Sequence, residues 1–155
     1  MTPQTYGRAE DFDHHGRLRV PALFWLAVLL QTRAWWLTGL EIVAGSDLHL
    51  MAVCYPDTGM LMAGLAAGLP AAAILFVYPV RGEMPVLARA GYLLLLAAVC
   101  LQLLMDADGL FARQPREPVA LWLMLCADLV CGVVLWPDRR LRAVFFRRAY
   151  GGGAA

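Results

Sequence analysis

Arg33 is the residue whose position most constrains the chemistry of this chain. It lies about twelve residues inside an apolar run that begins at Pro21, so on a helix it is about 18 Å deep at about 1.5 Å per residue. A guanidinium at that depth in hydrocarbon costs at least about 2.5 kcal/mol, so something must compensate it. Asp128, in the last apolar run, is the best-placed acid. It lies about eight residues from the end of that run, about 12 Å deep, and a long arginine side chain covers the difference. An Arg33–Asp128 pair joining the first and last helices is therefore expected. Such a pair can fix helix register, or it can form part of a proton or ion relay, because intramembrane charges mark such paths. Glu41 stands about 80° around the first helix from Arg33. It is either a second partner for Arg33 or a group that reaches the outer interface. Gln102 is expected to reach that interface.

Other reactive residue types show weaker patterns. His14 and His15 lie beside Asp11 and Asp13, and His49 lies near Asp47 and Asp57. Neither group has the two-histidine helical spacing of a zinc enzyme. Cys54, Cys100, Cys126 and Cys131 show no CxxC pair and no zinc-finger spacing. There is no nucleophile elbow, no phosphate-binding loop and no dinucleotide fingerprint. The expectation is a chain with no catalytic residue, no metal and no cofactor. Its net charge of +1 gives no global basic field for nucleic acid.

The elements that must position these residues are membrane helices. Of the 155 residues, 61% are hydrophobic and only 16% charged, whereas a soluble domain is about half apolar and about a quarter charged. Mean hydropathy is +0.61. Four apolar runs stand out, at 21–44, 58–78, 85–105 and 118–136. Each is close to the roughly 20 residues a helix needs to cross about 30 Å of hydrocarbon. None alternates every second residue, which excludes a porin-like barrel. Pro21 and Pro85 can open helices. Asp106-Ala107-Asp108-Gly109 reads as the turn that closes the third run, and Trp136-Pro137-Asp138 ends the fourth. The expected fold is all-α, a polytopic bundle of four transmembrane helices over 21–136. A polar cytoplasmic arm over 1–20 precedes it, and a basic cytoplasmic tail over 137–155 follows it.

Arginine fixes the expected orientation. Arg8, Arg17, Arg19, Arg81, Arg89, Arg139, Arg140, Arg142, Arg147 and Arg148 fall on one side of such a bundle, and only Arg113 and Arg116 on the other. By the positive-inside rule both termini face the cytoplasm. In the tail, Leu141, Val144, Phe145 and Phe146 alternate with Arg139, Arg140, Arg142, Arg147 and Arg148. This segment is expected to form a short amphipathic helix at the inner interface that binds anionic lipid. Gly64, Gly68 and Ala72 form a small-residue stripe that lets another helix approach, within the bundle or in a homo-oligomer.

Several stretches together resemble a known family. The first run carries Thr32-Arg33-Ala34-Trp35-Trp36, Tyr55-Pro56-Asp57 precedes the second, and the second carries Ala67-Gly68-Leu69-Pro70. The chain in this respect resembles the YfeZ-like family of four-helix bacterial inner-membrane proteins, over about residues 6–148. The resemblance implies fold and location, with no activity to transfer. The expected role is a structural or accessory subunit that associates with the bilayer and with a membrane-protein partner. The alternatives are a small oligomeric transporter or channel using Arg33, Glu41 and Asp128, and a lipid-modifying enzyme around Asp57, Asp106 and Asp108.

Overall fold

The computed structural model describes residues 18–45, 50–55, 57–111 and 118–146, and all its regular elements are helical. The first apolar run is not the single helix expected. It divides into α1 (Ala22–Gln31) and α2 (Arg33–Ala44), separated by Thr32. Thr32 has φ −86° and ψ 13°, in the sparsely used bridge between helix and strand. Its hydroxyl donates to the Leu29 carbonyl at 2.9 Å, and the Trp36 indole N–H donates to the same oxygen at 3.1 Å. Side chains thus take a carbonyl that an unbroken helix would give to the backbone of residue 33. Gly45 ends α2 at φ 79°, a conformation glycine adopts without steric penalty.

A short helix, α3 (Leu50–Cys54), leads to α4 (Thr58–Val77). A 3₁₀ turn over Pro79–Gly82 joins α4 to α5 (Pro85–Phe111). Both long helices can cross a bilayer, with 20 and 27 residues and mean hydropathy of 2.2 and 1.9 in their most apolar windows. α6 (Pro118–Leu135) meets α7 (Arg139–Phe145). The two are bent by 69° and together make a third candidate span. Among the described residues there are therefore two or three candidate spans. α1, with 10 residues, and α2, with 12, are each too short to cross alone.

A second departure concerns Asp106-Ala107-Asp108-Gly109, which continues α5 to Phe111 instead of turning. Asp106 and Gly109 are buried on the same face as Tyr92, Leu95, Val99 and Gln102. A Cβ on Gly109 would lie 2.7 Å from Cε of Met60. The helix persists because this face has an acid-binding partner and a close neighbour inside the bundle.

The core runs between α1, α4, α5 and α6, with Phe24, Val28, Ile74, Tyr92, Leu95, Cys131 and Leu135 buried in it. At the end where α1 begins, α7 closes it. Phe145 stacks on Tyr92 with ring centroids 4.7 Å apart and lies 5.8 Å from Phe24. The Tyr92 hydroxyl donates to the Leu135 carbonyl at 2.7 Å. The apolar side of α7 is therefore docked on protein, with Leu141 and Phe145 buried, instead of lying in lipid. Protein atoms offer these rings close-packed contacts that fluid acyl chains do not. Outward-facing residues are apolar around the bundle, Ile42, Val43, Phe76 and Val133 among them, which suits hydrocarbon as solvent.

Candidate functional site

The break at Thr32 places Arg33 at the first position of α2 and turns its side chain inward, where it is only 4% exposed. Its guanidinium forks onto Asp128 of α6: Nη1 donates to Oδ1, and Nη2 donates to Oδ2 at 2.8 Å. The same Nη2 donates to Oδ2 of Asp106 on α5, also at 2.8 Å. Nη1 reaches Oε1 of Gln102 at 3.5 Å. Gln31, the last residue of α1, donates from Nε2 to Asp128 at 3.4 Å. Gln102 donates in turn to the Gln31 carbonyl at 3.3 Å. Gln31 and Asp128 are fully buried and Gln102 is 2% exposed. One cation thus serves two carboxylates that share a single nitrogen, and four helices meet in the network. Charge-assisted bonds of this forked kind are about twice as strong as neutral ones. Low dielectric strengthens them further.

The structure brings Arg33 and Asp128 together and adds Asp106, Gln102 and Gln31. Glu41 is elsewhere: its carboxylate accepts the Met51 N–H at 3.0 Å and anchors α3. The second acid on Arg33 is Asp106, because α5 extends far enough to present it. Gln102 is a buried member of the network and not an interfacial residue. The signal that marks Asp106 is spacing: Gln102 and Asp106 continue the buried Leu95 and Val99 face at steps of three and four. Turn-like composition masked it.

Tyr55 covers the network's neighbourhood from the loop after α3. Its ring lies against Gly64, where a Cβ would come within 2.8 Å of Cε1. Burial pushes the Tyr55 phenol above its ordinary range, with the Arg33 charge acting the other way. Gly68 is closed by Trp35: a Cβ there would lie 2.8 Å from the indole Cδ1. The Trp35 Nε1–H donates to the Leu65 carbonyl at 2.8 Å. The small-residue stripe thus receives aromatic rings. It continues through buried Ala71, while Ala72 is only half-buried. Asp57 and Asp108 border a cleft of about 400 Å³ with Met60, Ala63, Leu104 and Met105, while Asp106 turns away into the bundle.

In the tail, Arg139 is exposed. Arg140 donates from Nε to the Arg19 carbonyl at 3.2 Å, and Arg142 to the Pro137 carbonyl at 2.6 Å. Arg147 and Arg148 lie outside the described residues, as do His14, His15 and His49. Among the described residues no group of three or more histidine, cysteine or acidic side chains has the geometry of a metal site.

A family model described as a protein of unknown function (DUF2919) matches residues 8–147. The inner membrane protein YfeZ of Escherichia coli (strain K12) is similar, 35% identical over 139 residues, which cover 87% of this chain and 91% of that protein. No solved structure matches.

Proposed function

The chain belongs to the DUF2919 family, and from that premise we propose that it is a non-catalytic structural or accessory subunit of an inner-membrane assembly. The observation that carries this reading is the use made of Arg33. Its guanidinium is committed to Asp106, Asp128 and Gln102, so the most costly residue in the bundle ties helices to each other. The bundle would cross the membrane four times, with α1 and α2 together making the first, broken crossing. Interrupted helices are tolerated at membrane depth where protein buries the freed backbone groups. Here Thr32, Trp36 and Gln102 supply donors to the carbonyls at the break. Both termini would lie in the cytoplasm. In support, Arg19, Arg81, Arg89, Arg139, Arg140 and Arg142 share one end, while the described charged residues near the other are Glu41, Asp57 and Asp108. The partners are then the bilayer, anionic lipid at the basic tail, and a second membrane protein or further copies of the chain.

Native mass spectrometry of the protein released gently from its own membrane tests the accessory role. The expected result is a complex with a different protein. Recovery only as a monomer overturns it. A second reading, a small oligomeric transporter or channel, is favoured by one observation. The buried cluster holds two carboxylates for one guanidinium, and Gln31 Oε1 and Arg33 Nε have no hydrogen-bond partner among the described residues. Ion flux in proteoliposomes that is lost in Asp106→Asn while folding persists is the result that selects it.

A further inference from the structure

The buried cluster is short of positive charge. Asp106 and Asp128 both bond to Arg33, which carries a single charge. With both acids ionised, the group would be net negative, although its three charged members are only 0–6% exposed. A buried charge is costly unless it is paired, and two carboxylates in one site resist double ionisation. The two acids do more than share Nη2 of Arg33. Their carboxyl groups also lie within hydrogen-bonding reach of each other. Two carboxylates have no hydrogen to place between them, whereas a carboxylic acid and a carboxylate do. Among the described residues, the groups that face the pair add no second cation. Gln102 faces it from α5 and Gln31 from α1, Cys131 lies near Asp128 on α6, and the Cys54 thiol and Tyr55 phenol approach from α3 and the loop after it. α4 has no titratable side chain. Independently of the charges, Gln31 is fully buried and its Oε1 has no donor, while its Nε2 bonds to Asp128. A buried acceptor without a donor marks a place where a hydrogen is missing.

We propose that this cluster is a proton-binding site, in which one proton shared by the Asp106 and Asp128 carboxyls makes the group neutral as a whole. The proton forms an O–H bond on one carboxyl oxygen and a hydrogen bond to the other acid, and it belongs to the pair and not to either residue. Asp106 is the point of exchange, because its side chain keeps an exposed edge and that of Asp128 has none. On release the proton passes to water at that edge, and one guanidinium is left with two carboxylates. Gln31 Oε1 supplies a further acceptor beside Asp128 for a turned carboxyl hydrogen or an entering water. The inference deepens the second reading above by naming its ion, and it rests on the same site. Holding a proton requires no transport, so a bundle that carries nothing can still bind it.

Infrared spectroscopy of the full-length protein in proteoliposomes tests it, because a protonated carboxyl has a carbonyl stretch that a carboxylate lacks. Wild type at neutral pH should show that band. The band should move when the aspartates carry a heavy carbon isotope in the carboxyl group, shift in heavy water, and fade as pH rises and the proton leaves. Asp106→Asn should lose the band, since Arg33 and Asp128 then balance without a proton. Asp106→Glu, which keeps the acid, should retain one at a displaced frequency. Wild type without the band at neutral pH, or with a band that ignores aspartate labelling, overturns the proposal with no variant involved, so a variant that misfolds does not protect it. A band that persists in folded Asp106→Asn puts the proton elsewhere and also overturns it. A band that collapses when sodium replaces a bulky organic cation at constant pH assigns the site to a metal ion and overturns the proton. Flux recorded in the same liposomes separates this inference from the transport reading. The band without flux leaves the proton site standing and fails transport, and flux without the band fails the proton site alone.

Discussion

The deepest charge in the chain is held by unequal partners, and this sets what single substitutions do. Asp128 is fully buried and receives both terminal nitrogens of Arg33, while Asp106 receives one and keeps 9% of its side chain exposed. Breaking a buried pair typically costs about 3–5 kcal/mol, because a charge is left without compensation. Asp128→Asn should therefore lower stability in detergent by about 3 kcal/mol, read as a fall in thermal or denaturant midpoint. Asp106→Asn should cost less than half as much, since the amide oxygen still accepts from Nη2. An unchanged midpoint in Asp128→Asn would show that the fork adds nothing to stability. The proximity of Arg33 and Asp128 is legible in the sequence because each is an isolated charge far inside an apolar run. Asp106 is not legible in the same way. It sits beside Asp108 and Gly109, residues that elsewhere make turns, and only the extension of α5 turns it toward Arg33. Glu41 misleads for the opposite reason. Its angle on the helix allows it to approach Arg33, but the two share α2 eight positions apart, about 12 Å along the axis, and Glu41 instead holds the Met51 N–H.

At the scale of elements, the Thr32-Arg33-Ala34-Trp35-Trp36 segment acts as one unit. Thr32 and Trp36 satisfy the carbonyl freed at the break, Arg33 turns inward, and Trp35 reaches α4. Gly68 is the surface that Trp35 needs. Gly68→Ala should destabilise the bundle by about 1 kcal/mol or more, the cost of overpacking a close contact. In a Trp35→Ala background the same change should be neutral or stabilising, since alanine is the better helix former by about 1 kcal/mol. A double-mutant cycle measured by thermal unfolding tests this. Equal penalties in both backgrounds would show that the ring and the glycine do not press on each other. The starts of α4, α5 and α6 are readable from apolar length and turn or proline punctuation, although the end of α5 is not. The division of the first run is not readable either, because it depends on hydrogen bonds from side chains that hydropathy does not register.

For the whole molecule, the distribution of charge along the bundle axis supports a defined sidedness, and Cys54 offers a test of it. Cys54 lies in α3, at the end remote from α7, and is half-buried. Burial pushes its thiol above the ordinary range, against the pull of the Arg33 charge. A raised value means less thiolate at neutral pH, and the thiolate is the nucleophile. An impermeant maleimide should therefore label Cys54 on intact spheroplasts more slowly than it labels free cysteine, with a rate that climbs as pH rises into and beyond the usual thiol range. Labelling that needs lysed cells would reverse the proposed orientation, and a rate matching free cysteine at neutral pH would contradict the burial. The tail shows how global packing overrides a local reading. Its alternation of arginine with apolar residues fits a helix lying on lipid, but Phe145 finds Phe24 and Tyr92 within ring-contact distance and docks on them.

The Arg33–Asp128 bond also orders events in time. The two residues are 95 positions apart, so at about 5–20 residues per second the ribosome makes the cation roughly 5–20 s before its counter-ion. During that interval the first part of the bundle carries an arginine that its own neighbourhood cannot neutralise, and Asp106 on α5 arrives only shortly before Asp128. A nascent chain stopped after α4 would hold an uncompensated charge, which α5 and α6 remove. Synthesis of α6 and the packing of α2 are thereby joined in one contact, and a product that stops before α6 carries an arginine without its main counter-ion.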